Sequence, residues 1–225
     1  VIFGSRNVRI CDNQVFFIRT GINITEGSHH ITVSGNIVET ASGAKLKNWG
    51  ACLVFRTEPL PLATTVSHVA VTGNVFRNQT TDAKVTLRFE TRKESLGCCY
   101  QAITLTGNVF DGDIQFYDRV NPAMTTMQDI VFADNICEGS FVNAPVAEVA
   151  SRRITVRGNT FRLAGNQVLK ACGWIWSDNT HTAGTLELDA AAKSNIVRNN
   201  VTTSAIRDQG VKTSLNGNEV LTNDP

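Results

Sequence analysis

"ITVSGNIVET", Ile31–Thr40, alternates β-branched with small or polar residues, runs into Gly-Asn and then resumes with an apolar side chain. One such phrase reads as a hairpin built on a Gly-Asn turn. The phrase returns, however, as "VAVTGNVFRN" from Val69, "ITLTGNVFDG" from Ile103, "IVFADNICEG" from Ile130 and "ITVRGNTFRL" from Ile154. A local turn does not explain a recurrence, so the phrase is read as the unit of a repeat.

With the motif asparagine as origin, copies stand at Asn13, Asn36, Asn74, Asn108, Asn135, Asn159, Asn179, Asn200 and Asn218. Three residues earlier every copy is apolar: Ile10, Val33, Val71, Leu105, Phe132, Val156, Trp176, Val197 and Leu215. Five residues earlier seven of nine are apolar, the exceptions being Asn195 and Thr213. Residues such as Ser34, Thr72, Thr106 and Arg157 lie between, which is the period of a strand with one buried face. The residue before the asparagine is always Gly, Asp or Asn, types that tolerate left-handed backbone, so each strand is expected to end in a tight bend. Two residues after the asparagine the chain is apolar again at Val15, Val38, Phe76, Phe110, Cys137, Phe161 and Val220. Gly-Asn is thus a corner, taken once per turn of a coil.

Successive asparagines are 23, 38, 34, 27, 24, 20, 21 and 18 residues apart, a base period near twenty with insertions. Such a period signals a stacked solenoid. Because every strand meets its corner with the same polarity, stacking puts equivalent strands in parallel about 4.8 Å apart, with buried asparagines able to bond along the stack. The expected fold is an all-β parallel β-helix of about nine coils with Gly-Asn, Asp-Asn or Asn-Asn corners. Leucine-rich repeats also want Leu eight residues before the asparagine, where this chain has Ser5, Ser28, Val66, Tyr100, Met127 and Ser151. A propeller needs four strands in about 40 to 45 residues, longer than the late spacings. Antiparallel hairpins remain an alternative, since sequence does not show which strands pair.

At 225 residues, 42% hydrophobic and 18% charged, the chain can bury one core, and no linker divides it. A single domain, 1–225, is expected. A formal net charge of +1 with dispersed Lys and Arg leaves no footprint for nucleic acid, and no apolar run approaches the ~20 residues of a membrane span. The first residues, "VIFGSRNVRI", lack Met and a leader pattern; with motif asparagines close to both termini, the chain is expected to be a slice of a longer protein. Cys11, Cys52, Cys98, Cys99, Cys137 and Cys172 are too sparse for a disulfide scaffold and include no C-x-x-C pair, so they read as reduced structural thiols. His29, His30, His68 and His181 lack metal-ligand spacing; His30 and His68, each six residues before a motif asparagine, read as a solvated column where strands begin. Asp111, Asp113 and Asp118 offer too few oxygens for a calcium site. No metal or cofactor is expected.

The phrases "ITVSGN", "VAVTGN", "ITLTGN" and "ITVRGN" resemble the right-handed parallel β-helix superfamily of pectate-lyase-like proteins, over almost the whole chain. That superfamily includes polysaccharide lyases, polygalacturonases, epimerases and the tailspikes of tailed bacteriophages. The chain lacks the paired-aspartate and Gly-His-Gly pattern of polygalacturonases and the acidic cluster with Arg-x-Pro-x-x-Arg of pectate lyases. Its irregular insertions and free cysteines look more like a bacteriophage tailspike or tail-fibre domain. The resemblance implies a homotrimer in the virion tail, assembled in the bacterial cytoplasm and acting at the host surface, that binds a capsule or O-antigen polysaccharide, either with or without depolymerising it. A non-catalytic structural or adhesive shaft is one alternative; a secreted polysaccharide lyase or epimerase is another.

The two longest gaps are consecutive, and insertions in repeats commonly map to the binding face. The strands nearby read "ACLVFRTEP" (Ala51–Pro59), "VTLRFETR" (Val85–Arg92) and "DIQFYDR" (Asp113–Arg119). Aligning Phe55, Phe89 and Phe116 as inward residues puts Arg56, Glu90 and Tyr117 in one outward column and Glu58, Arg92 and Arg119 in the next. Glu58 and Glu90 would then be about 8 Å apart, within the range of an inverting glycosidase's two carboxylates, with Asp118 as a spare. Hydrolysis is therefore preferred to elimination; a lyase would draw on Arg88, Arg92, Lys93 and Tyr117. The same columns also read as a checkerboard of exposed cross-strand ion pairs with no catalytic role. Between the two stands a binding surface, with Arg56, Arg88, Arg92 and Arg119 on an acidic sugar and Tyr117 or Trp49 stacking on it. In "GWIWSDNTH" (Gly173–His181) Trp174 and Trp176 point inward by motif alignment, while a one-residue slip would present both indoles outward to sugar.

Overall fold

A computed structural model of the chain describes residues 1–41, 50–57, 64–80, 84–91, 98–118, 125–143, 150–162, 167–170 and 172–220. The fold is a parallel β-helix. Each early coil runs through three strands on three faces, as in Thr64–Thr72, Val75–Arg77 and Val85–Thr91, before Cys98–Thr106 returns to the first of those faces. Strands on one face stack into a nine-stranded sheet from Arg6–Cys11 to Ser214–Asn216, and a second nine-stranded sheet follows the corners from Gln14–Phe17 to Glu219–Val220. The remaining face is a six-stranded sheet from Ile2–Phe3 to Phe141–Asn143, followed by a three-stranded one of Gln167–Leu169, Leu186–Leu188 and Arg207–Asp208. Asn143 bridges these last two sheets: its Nδ2 donates to the Val168 carbonyl at 2.9 Å and its Oδ1 accepts the Lys170 N–H at 2.7 Å.

The pairings overturn the hairpin alternative, because the strands that lie side by side are parallel and come from successive coils. The apolar residues three before the asparagine pair in register: Ile10 with Val33, Val33 with Val71, Val71 with Leu105, Leu105 with Phe132, and Phe132 with Val156. Inside the coil these columns meet rings from the other faces, such as Phe55 on Phe89 at 4.8 Å, Phe76 on Phe110 at 5.2 Å and Phe161 on Trp176 at 5.2 Å.

The asparagines form an unbroken ladder. From Asn13 to Asn200 each donates its backbone N–H and its Nδ2 to the Oδ1 of the next motif asparagine, at 2.9 to 3.1 Å. From Asn36 onward the Nδ2 also reaches the carbonyl three residues before the preceding asparagine, as Asn108 does to Val71 at 3.0 Å. Buried amides thereby satisfy both their donors and their acceptor, which is what makes a polar column tolerable inside an apolar coil.

The residue before each asparagine has positive φ in all nine copies, from 52° at Asn199 to 65° at Gly35. Glycine is needed where the preceding coil carries a longer residue: a Cβ on Gly35 would lie 2.3 Å from Asp12 Oδ1, and one on Gly158 would lie 2.4 Å from Asp134 Oδ1. A second left-handed column stands six residues before the asparagine, at Asn7, His30, His68, Ala102, Asp129, Arg153, Gly173, Ser194 and Lys212. Each coil therefore bends twice in nearly the same place, once in mid-strand and once at the corner. His30 and His68 are exposed there, as expected, and their rings stack at 5.0 Å. Asp129 and Arg153 occupy the same column in adjacent coils and form a two-pronged ion pair, Arg153 Nη2 to Asp129 Oδ2 measuring 2.7 Å. This pairing holds the Asp129 carboxyl below its ordinary range and raises the guanidinium.

None of the six cysteines forms a disulfide. Burial pushes the Cys52 and Cys137 thiols up, with nearby acidic side chains adding to it, so both are held protonated. Among the described residues no helix is long and apolar enough to cross a membrane.

Candidate functional site

The column expected on the outer face of the six-stranded sheet is present in its first half. Strands Ala51–Thr57 and Val85–Thr91 pair with Leu53 opposite Leu87, Phe55 opposite Phe89 and Arg56 opposite Glu90. Alternation then turns Arg56 and Glu90 outward, and Arg56 Nη2 lies 3.4 Å from Glu90 Oε1. Arg88, one outward position back along the strand, places Nη1 3.7 Å from Glu90 Oε2 and donates Nε–H to Gln115 Oε1 at 2.8 Å. Behind them Tyr100 packs its ring on Phe55 and Phe89 and donates its hydroxyl to the Glu90 carbonyl at 3.0 Å, fixing the ends of both strands.

This face is more enclosed than a solvated checkerboard. Arg88 is 1% exposed, and Ala51, Val54 and Val85 form a separate buried apolar cluster beside it. The side chains of Arg56 and Glu90 retain 15% and 13% of their exposure. Arg88 as a sugar-binding residue is therefore corrected. Its guanidinium is spent on Gln115 and Glu90 inside the wall, where it positions Glu90, and only the edges of Arg56 and Glu90 face outward.

The second half of the expected column does not hold. Leu87 pairs with Ile114 and Arg88 with Gln115, but the register then shifts so that Phe89 pairs with Asp118. Phe116 and Tyr117 are thereby left without a partner on Val85–Thr91, so Tyr117 is not the in-register neighbour of Glu90. Phe116 still points inward, fully buried and edge-on to Phe89 at 5.2 Å. The side chains of Tyr117 and Asp118 lie outside the described residues, as do Trp49, Glu58, Arg92, Lys93 and Arg119 altogether. Of the three proposed carboxylates, Glu90 alone has a described position for its side chain. Asp113 is already engaged, its Oδ1 accepting the Ser140 N–H at 2.8 Å.

Trp174 and Trp176 are also corrected. They are 2% and 1% exposed, pairing with Ile154 and Val156 in the core columns. The inward register is fixed by Asn179, whose place in the ladder a one-residue slip would forfeit while moving two indoles into water. No sugar platform exists there. Trp176 Nε1–H instead donates to His181 Nε2 at 3.3 Å, and His181 stacks on Phe161 at 4.9 Å. His181 is 1% exposed, and desolvation lowers its pKa from 6.5 to about 4, so it is held neutral.

Further along the same side of the coil, the three-stranded sheet carries polar residues that the sequence reading did not single out. Val168, Glu187 and Arg207 stand opposite one another in successive strands, and Arg207 Nη1 lies 3.1 Å from Glu187 Oε1. The signal was available: Glu187 and Arg207 are 20 residues apart, one short coil. The chain matches no protein-family profile, no curated protein and no solved structure.

Proposed function

We propose that the chain is a tailspike-type or tail-fibre-type β-helix domain that binds a bacterial surface polysaccharide, capsule or O-antigen, as part of a homotrimer in a bacteriophage tail. The observation that carries this reading is the braced polar wall on one face of a stiff rod. Arg56 and Glu90 present charged edges at rung spacing, held from behind by Arg88, Gln115 and Tyr100. Pre-organised charged and amide groups of this kind bind hydroxylated, partly ionised polymers with little ordering cost. In this reading Glu90 anchors sugar; if the polymer is also cut, Glu90 is the acid or base, with its partner carboxylate supplied by Glu58, Asp118 or a neighbouring chain.

A second reading has its own support. Arg56 and Arg88 both hold the Glu90 carboxylate within 4 Å, as a purely structural ion cluster would, and the domain would then be a non-catalytic shaft. The separating experiment is a screen of the assembled protein against capsule and O-antigen preparations, measuring glycan binding, new reducing ends and unsaturated-uronide absorbance together. Binding that weakens in Arg56→Ala supports the proposal. Reducing ends lost in Glu90→Gln add hydrolysis to it, and uronide absorbance shifts it to elimination. Absence of binding by the intact oligomer across the panel favours the shaft.

A further inference from the structure

The residues Glu187, Asp189, Arg207 and Gln209 rim a shallow depression of about 100 Å³ on the outer face of the three-stranded sheet, with Val168 as its apolar lining. We propose that this depression is a saccharide subsite for an uncharged, hydroxyl-bearing sugar unit, a proposal that rests on the polysaccharide-binding reading above.

Its construction follows from the coil. In Leu186–Leu188 the leucines are buried and Glu187 faces out, and Arg207 sits on the next rung opposite it. Past the strand ends the backbone bonds continue, Asp189 N–H to the Leu169 carbonyl and Gln209 N–H to the Leu188 carbonyl, both at 3.0 Å. Asp189 and Gln209 therefore occupy the next outward positions on the same two rungs. Four polar groups then mark the corners of a rectangle about 4.8 Å by 6.8 Å, a spacing that hydroxyls around one pyranose ring can bridge.

The corners are pinned to different degrees. The Glu187 side chain is 26% exposed against 70% for Arg207, so the carboxylate is seated, while the guanidinium paired with it at 3.1 Å keeps most of its surface toward solvent. Asp189 Oδ1 accepts the Ala191 N–H at 2.8 Å, which leaves its second oxygen to accept from a ligand. Two carboxylates, one guanidinium and one carboxamide supply acceptors for paired hydroxyls and donors for ring or glycosidic oxygens. Val168 offers the apolar contact that the C–H face of a sugar wants. The local formal charge of −1 selects against uronates and other acidic sugars.

The location gives the subsite its meaning. Asn143 couples the three-stranded sheet to the six-stranded one, and Leu186–Leu188 lies four rungs beyond Val85–Thr91 in that combined stack. At about 4.8 Å per rung the depression is roughly 19 Å from Glu90. An extended oligosaccharide of several units reaches both.

The test uses the full chain and a printed array of neutral and uronate-containing oligosaccharide fragments of bacterial capsules and O-antigens. Binding to neutral fragments should fall about tenfold or more in the Glu187→Gln, Asp189→Asn double variant and in Arg207→Ala. Arg207 is mostly in solvent, so its truncation leaves the fold intact. Unchanged neutral-fragment binding in both variants overturns the subsite while leaving the polysaccharide-binding reading standing, as does wild-type binding confined to uronate-containing fragments. A wild-type protein that binds no fragment overturns both.

Discussion

Asn108 donates its backbone N–H at 2.9 Å and its side-chain amide at 3.0 Å to one oxygen, Oδ1 of Asn135, while its own Oδ1 receives the same two donors from Asn74. The side chain thus closes contacts to both neighbouring coils. A structure that repeats this at each corner distributes its stability evenly along its length, and disturbance of one rung is felt by both neighbours.

Asn108→Ala should be among the most damaging single truncations. It strands the buried N–H of Asn74, takes one acceptor from Asn74 Nδ2, which keeps the Val33 and Thr72 carbonyls, and leaves the Val71 carbonyl without its amide, which together cost about 2 to 4 kcal/mol. Asn13→Ala, at an exposed rung, should cost less than about 1 kcal/mol. Urea melts of the two variants, compared by midpoint, check the contrast.

Ala102 adopts φ of 52° in the mid-strand bend. A non-glycine residue there pays a left-handed penalty that exceeds glycine's extra chain entropy, so Ala102→Gly should stabilise the protein by about 0.5 to 1 kcal/mol. Equal or lower stability would show that the alanine methyl earns its place by packing.

His181 makes stability depend on pH. Its pKa is lowered from 6.5 to about 4 in the folded coil, so the unfolded chain binds the proton first. The stabilising contribution is intact above pH 6.5 and is lost progressively as pH falls toward 4, by roughly 3 kcal/mol in all. His181→Phe places in this position the residue that other coils use, Phe76, Phe110 and Phe161. The difference between wild-type and variant stability, measured from pH 7.5 to 4, should widen with acidification.

Arg88 and Arg56 touch the same carboxylate from different depths. Arg88→Ala opens a cavity in the wall and removes the Gln115 partner as well, for about 3 kcal/mol. Arg56→Ala, nearer the solvent, should cost no more than about 1 kcal/mol. Thermal melts showing the two equal would mean that the wall is not braced through Arg88.

The corners, the parallel stacking and the inward columns were legible because nine imperfect copies repeat the same chemistry at the same offsets. The mid-strand bend was not, because His30, Ala102, Asp129, Arg153 and Lys212 share no side-chain property. There the backbone conformation is imposed by in-register pairing on both sides of the bend. At the candidate site the Arg56–Glu90 pairing followed from the Phe55 and Phe89 alignment. The register shift at Phe89 and Asp118 did not, since a bulge leaves no mark on alternation. Nor does alternation tell an outward residue in water from one that is covered, which is why Arg88 read as a sugar contact. For Trp174 and Trp176 the deciding information was Asn179, an anchor outside the strand itself.

The unequal coils give the rod a mechanical signature. Drawn apart by its two ends, a solenoid of this kind surrenders one coil at a time from its termini, since each coil is held only by its neighbours. Each release should pay out the slack of one coil, from 18 to 38 residues at about 3.6 Å apiece. A force trace would thus show an irregular series of steps spelling out the distances between the asparagines.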